Sequence, residues 1–129
     1  MLDLSAFGKN DIRGIYGENI TEEIFYYTGR GFVKYLLKET GKQVAEIWVT
    51  VCRDARLHSP ALSKSLISGI LSTGANVVDL GLAPTPLGYY SEAVGIPPYL
   101  TKYAAARTAS AALHSVSCRA VCRFFPFAA

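Results

Sequence analysis

Ala45-Glu46-Ile47-Trp48-Val49-Thr50-Val51 runs without a break into Cys52-Arg53-Asp54-Ala55-Arg56. Ile47, Val49 and Val51 alternate with Trp48 and Thr50, the period-two pattern of a strand over residues 45–51. The charged cluster therefore follows the strand's carboxyl end. Ligands of open α/β sheets bind at that end.

Working outward, helices are expected on both sides. Upstream, Thr21 reads as an N-cap, and Glu22 and Glu23 suit the positive end of a helix dipole. Phe25, Phe32, Val33, Leu36 and Leu37 then recur at helical spacing, and Gly41 is a stop. Gly29 and Gly31 lie inside this helix, where each costs roughly 1 kcal/mol relative to alanine. Close packing against a sheet is the expected compensation. Downstream, Ser59 reads as an N-cap with Pro60 at the first helical position. Leu62, Leu66, Ile67, Ile70 and Leu71 supply the apolar face, and Gly74 ends it.

A short strand is expected over residues 10–16, leading into a turn from Gly14 to Gly17. Another begins at Val77 and Val78 and closes at Gly81. Thr85 and Pro86 open a last short helix, with Leu87, Tyr90 and Val94 inward. The order β-α-β-α-β-α with short connections predicts an α/β fold, a three-layer sandwich around a mixed, mostly parallel sheet.

The chain has 129 residues and a formal charge of +3. That length is one domain's worth, enough to bury a core. The charge is unevenly placed. Residues 1–94 hold nine Lys/Arg and ten Asp/Glu, a balance of −1, whereas residues 95–129 hold Lys102, Arg107, Arg119 and Arg123 and no acid. Ile96-Pro97-Pro98 marks the change. The expected division is an incomplete α/β domain over residues 1–96 and an atypical basic tail over 97–129, out of frame or disordered or helical. A shifted reading frame or a truncated gene would give such a tail.

Four bases over that tail form no dense patch, so neither nucleic acid nor a membrane surface is an expected partner. No apolar run approaches the ~20 residues that cross a bilayer. Met1 to Lys9 lack a signal pattern, and three cysteines (Cys52, Cys118, Cys122) give no disulfide framework, which together point to the cytoplasm. Cys52 reads as a small core residue. Cys118 and Cys122 share a helix face at i, i+4, but with His58 and His114 isolated, no set has metal-site spacing.

Arg13, just past a strand and followed by Gly14, can make a paired contact to phosphate oxygens. It can equally bridge to Asp11 or Asp54. Arg53 and Arg56, flanking Asp54, can be a phosphate grip or an ion-pair knot that shapes the loop. The knot is the preferred reading for Asp54, and Arg56 stays open between the two. No serine has the setting of an activated nucleophile.

Phe7-Gly8-Lys9-Asn10-Asp11-Ile12-Arg13-Gly14, Arg53-Asp54-Ala55-Arg56 and Asp79-Leu80-Gly81-Leu82-Ala83-Pro84-Thr85-Pro86 occur in order along this pattern. Together they resemble the amino-terminal domain of the α-D-phosphohexomutases, the phosphoglucomutase/phosphomannomutase family. The resemblance covers residues 7 to about 96. It implies a four-domain enzyme that moves a phosphoryl group between the 1- and 6-positions of a hexose phosphate through a phosphoserine. It also implies Mg2+, held mainly by the second domain and not expected to bind this fragment well. Arg13 would hold the phosphoryl group beside the phosphoserine.

Asn10 departs from the family's tyrosine and Cys52 from its glycine. Thr108-Ala109-Ser110 matches only the first half of the phosphoserine segment Thr-Ala-Ser-His-Asn-Pro, because Ala111-Ala112-Leu113 follows. Ser110 is therefore a weak candidate, and the chain alone is expected to be inactive. An incomplete sheet would leave an unpaired edge, so self-association is expected. The competing reading is a non-catalytic phosphate- or partner-binding module with a basic tail. A receiver-like module ranks last, because the strand ends bring arginines where acids are needed.

Overall fold

The computed structural model describes residues 2–8, 12–84, 86, 87 and 90. Among these residues are two α-helices and two parallel strands: α1 (Glu22–Thr40), β1 (Trp48–Arg53), α2 (Ser59–Leu71) and β2 (Asn76–Leu82). The α/β expectation holds. β1 pairs in parallel with β2, from Trp48 opposite Asn76 to Arg53 opposite Leu82, with a register irregularity between Val51 and Arg53. Parallel pairing requires a crossover, which α2 supplies.

The ends of α1 follow the sequence. The Thr21 hydroxyl accepts from the Ile24 N–H at 3.3 Å, and Gly41, in the left-handed region at φ 66°, donates its N–H to the Leu37 carbonyl. Ile24, Phe25, Phe32 and Val33 are buried. They share one core cluster with Val49 and Val51 of β1, Val77 of β2, and Leu62, Leu66 and Ile70 of α2. Cys52 is buried as expected.

Gly29 of α1 is compensated differently from the expectation. The neighbour of Gly29 is helix α2, not the sheet. A Cβ on Gly29 would lie 2.5 Å from the Leu66 carbonyl oxygen, and a Cβ on Gly69 would lie 2.0 Å from the Tyr26 carbonyl oxygen. The two backbones thus touch where both side chains are missing. Ser65 of α2 adds a hydrogen bond of 2.6 Å to the Glu22 carbonyl of α1.

Other boundaries moved for local reasons. Residues 12–16 form no strand: Ile12 makes an isolated antiparallel bridge to Phe7, and Tyr16 a bridge to Ile20. Arg13 donates its backbone N–H to Ala6 and Ile15 donates to the Asn19 side chain, so these donors are satisfied without a ladder. Residues 10 and 11 of that expected strand lie outside the described residues.

The strand expected from Ala45 begins only at Trp48. Glu46 instead accepts from the Gln43 N–H at 2.8 Å and closes a single 3-10 turn over Val44–Glu46. At the other end β1 runs on to Arg53, whose carbonyl accepts from the Ala83 N–H at 3.1 Å. Ser59 does not cap α2. His58 occupies that position, and Ser59 is the first helical residue, with its hydroxyl turned back to Asp54. Helix α2 stops at Leu71 rather than at Gly74, and Leu71 is half exposed. Pro86, Leu87 and Tyr90 are helical, but Leu87 and Tyr90 face outward rather than into the core. Thr85 and Val94 lie outside the described residues.

Gly69→Ala tests the helix contact. The methyl gains about 1 kcal/mol of helix propensity, but backbone cannot move aside as a side-chain tip can, and overpacking costs about 1–3 kcal/mol or more. The expected net result is destabilisation, read as a lower denaturant midpoint. An unchanged or raised midpoint would show that α1 and α2 are farther apart.

Candidate functional site

Three loops carry the motifs, and the fold ties them to one another. The first, Arg13 to Ile20, is organised from within by Asn19. Its side-chain oxygen accepts from the Ile15 N–H at 2.9 Å, and its amide donates to the Ser5 hydroxyl at 3.0 Å. Gly14 has to be a glycine for this arrangement, because a Cβ there would fall 2.1 Å from the Asn19 oxygen. The Glu18 and Ile20 amides both donate to the Ile15 carbonyl at 3.1 Å, closing the turn. Arg13, at the entrance, is exposed.

The second loop, Asp54 to His58, is shaped by Asp54. One carboxylate oxygen accepts from the Arg56 N–H at 3.2 Å and from the Ser59 hydroxyl. The other lies 3.3 Å from the Arg56 Nε. An aspartate bonding to the backbone two residues on is a turn former, so the structural reading of Asp54 holds. Ser59, wholly buried, satisfies its hydroxyl in this knot. Arg56 belongs to the knot as well, yet its side chain is 61% exposed. An exposed pair of this kind contributes only ~0–1 kcal/mol. Arg53 is half-buried at the end of β1.

The first and second loops meet through aromatic rings. Tyr16 stacks on His58 with centroids 4.7 Å apart and planes within 12°. The second and third meet through the backbone, where the Ala83 N–H bonds to the Arg53 carbonyl, and Pro84 then accepts from the Leu87 N–H. The described parts of the three loops are thus joined near the carboxyl end of β1. Sequence reading found the arginines and missed the residues that join them. Tyr16 had no signal of its own, and His58 read as isolated.

Tyr16 is also held from the side of α1. Its hydroxyl donates to Glu22 Oε1 at 2.5 Å. That hydrogen bond pushes the tyrosine hydroxyl above its ordinary value and holds the Glu22 carboxyl below its own.

Among the described residues no three His, Cys, Asp or Glu side chains stand close enough to share a metal ion. Asp54, paired with Arg56, already accepts from Arg56 and Ser59. Ser110, His114, Cys118 and Cys122 lie outside the described residues. An apolar cavity of about 280 Å3 lies against α1, walled by Leu2, Leu4, Phe7, Ile24 and Tyr27 among others. Its lining carries no charge, so it cannot seat a phosphate. No helix among the described residues is long and apolar enough to cross a membrane.

This geometry has counterparts of known family. Residues 4–95 match the family model described as phosphoglucomutase/phosphomannomutase, alpha/beta/alpha domain I. The chain belongs to the phosphoglucomutase/phosphomannomutase family. It is 40% identical over 90 residues to a phosphomannomutase/phosphoglucomutase of Pseudomonas aeruginosa, covering 70% of this chain and 18% of that protein. It is 38% identical over 85 residues to a phosphoglucosamine mutase of Pediococcus pentosaceus, covering 66% and 19%. A crystal structure of a family protein from Burkholderia thailandensis superposes with a TM-score of 0.64 at 35% identity, covering 70% of this chain and 19% of that one. The chain thus spans less than a fifth of the length of these relatives. The match is to the domain read from the three motifs, and it supplies the alpha/beta/alpha layering expected from the element order.

The Tyr16–Glu22 bond makes a pH prediction. A carboxylate whose folded value is depressed contributes stability above its unfolded value and loses it as pH falls through the folded one. Wild type should therefore exceed Tyr16→Phe in stability at neutral pH, and the difference should close as acid protonates Glu22. Denaturation midpoints of both proteins across the acid range check this. A difference independent of pH would place the tyrosine hydroxyl elsewhere.

Proposed function

We propose that this chain carries the phosphate grip of a phosphohexomutase, an intramolecular phosphotransferase that acts on hexose phosphates and moves the phosphoryl group between the 1- and 6-positions through a phosphoserine. Arg13 holds the phosphoryl group, and Arg53 and Arg56 supply positive charge from the neighbouring loop. The observation that carries this reading is the joining of the three motif loops at one end of the sheet, by the Tyr16–His58 stack and the Ala83–Arg53 hydrogen bond. Phosphoryl transfer depends mostly on positioning and on charge placed in advance, and arginine suits both needs through its paired donors. The family match over residues 4–95 supports the same reading.

The chain by itself binds and does not turn over. Transfer needs a nucleophile that accepts and returns the phosphoryl group. The sequence around Ser110 continues Ala111-Ala112-Leu113, which lacks the neighbours that would activate the hydroxyl. The setting is cytoplasmic, as the metabolic names of the relatives suggest.

Glucose 1,6-bisphosphate titrated calorimetrically into the full chain should bind. Arg13→Ala should weaken that binding about tenfold or more, since hydrogen bonds to charged groups contribute about 1.5–3 kcal/mol. Unchanged affinity would remove Arg13 from the grip. In the coupled assay, glucose 1-phosphate with the bisphosphate and Mg2+ should give no product. Robust turnover, or labelled phosphate attached to Ser110, would refute the claim of inactivity.

The proposal extends to self-association. Among the described residues each strand has a single neighbour, and Trp48 and Leu82, at opposite ends of the pair, are 40% and 60% exposed. Sedimentation velocity should show mass rising with concentration. A monomer across the micromolar range would contradict this.

A further inference from the structure

We infer that Tyr16 and His58 form a clip that sets the Arg13 loop against the Arg53–Ser59 loop, which makes both of them positioning residues for the anion grip. The inference rests on the reading of that grip given above.

The first loop is rigid within itself. Asn19 fixes Ile15 and reaches Ser5, Gly17 donates to the Ile20 carbonyl, and Glu18 and Ile20 close on Ile15. What remains to be set is how this unit sits on the second loop. Tyr16 projects from it to two other elements at once. Its hydroxyl engages Glu22 in the first turn of α1, and its ring engages His58 at the start of α2. Offset stacking at such a distance contributes beyond mere burial.

His58 is placed for this task and is not used for the usual one. It occupies the N-cap position of α2, yet its side chain makes no capping hydrogen bond. Serine, threonine, asparagine or aspartate there would satisfy a helix donor. The neighbouring Ser59 hydroxyl is likewise turned away, toward Asp54. The start of α2 therefore forgoes side-chain capping at His58, and the imidazole face serves Tyr16.

Arg13 precedes Tyr16 by three residues and is anchored on its other side by its N–H to Ala6. A tilt of the loop at Tyr16 consequently displaces the guanidinium. Paired contacts of arginine with an anion depend on geometry, so a clip on this loop governs how well Arg13 and Arg56 meet one anion.

The test uses the full chain. Amide exchange at Glu18 and Ile20, followed by NMR, reads the fixation of the loop from a residue about forty positions away. His58→Ala should accelerate exchange at both amides about fivefold, which corresponds to ~1 kcal/mol. His58→Phe, which keeps a stacking ring without ring nitrogens, should restore the wild-type rates. Tyr16→Leu reads the same clip from its other half, should His58→Ala fail to fold. Affinity for glucose 1,6-bisphosphate should fall in His58→Ala and recover in His58→Phe.

Unchanged exchange in His58→Ala and Tyr16→Leu would overturn the inference, as would acceleration that phenylalanine does not rescue. Faster exchange with undiminished affinity, in a protein whose Arg13→Ala variant binds weakly, would show that the rings join the loops without positioning the grip, and would overturn it too. If Arg13→Ala binds as wild type does, the grip reading fails on its own, and the exchange rates still decide whether the clip exists.

Discussion

The approach of α1 to α2 at Gly29 and Gly69 constrains everything else in this domain. A side chain at either position would meet a carbonyl oxygen of the other helix at 2.5 Å or less. The contact is therefore between backbones, and it fixes how far apart the helix starts can be. Ser65 reaching the Glu22 carbonyl shows how close the first turn of α1 comes to the middle of α2. Glycine is unfavourable inside a helix by roughly 1 kcal/mol. Here that cost is offset by dispersion contacts across a gap that any Cβ would hold open.

Fixing the helices fixes the loops that precede them. Tyr16 enters α1 through Glu22, and His58 begins α2. Once the helices are in contact, the two rings can stack at 4.7 Å. The third loop is drawn in by the sheet, through the bond from Ala83 to the Arg53 carbonyl. Two different forces thus assemble one rim: ring stacking on the helix side and backbone hydrogen bonding on the strand side. The Arg56 side chain contributes little to this assembly. Its ion pair with Asp54 is mostly exposed.

Much of this could be read from the sequence. A strand read over 45–51 and found at 48–53, both long helices, and the caps Thr21 and Gly41 follow from local chemistry: alternation, helical spacing, a hydroxyl before acidic residues, a glycine after apolar ones. Asp54 is legible as a residue that shapes its loop because Arg56 and Ser59, which it engages, lie within five residues. The misreadings share a cause. Ser59 looked like a cap, but Asp54 competes for its hydroxyl. Residues 12–16 looked like a strand, but Ala6 and Asn19 take up the donors that a ladder would use. Gly29 was read against a sheet, because spacing shows that a face is packed without showing what packs on it.

The sequence by itself determined the kinds of element, their order, and the cationic chemistry at their ends. These depend on residues close together in the chain, whose effects a one-dimensional pattern records. Only the tertiary structure decided which helix meets which, that Tyr16 lies on His58, and that Ser59 serves the loop rather than the helix. Each of those is a choice between partners of similar local merit, and the choice is made by which groups the folded backbone brings within a few ångströms.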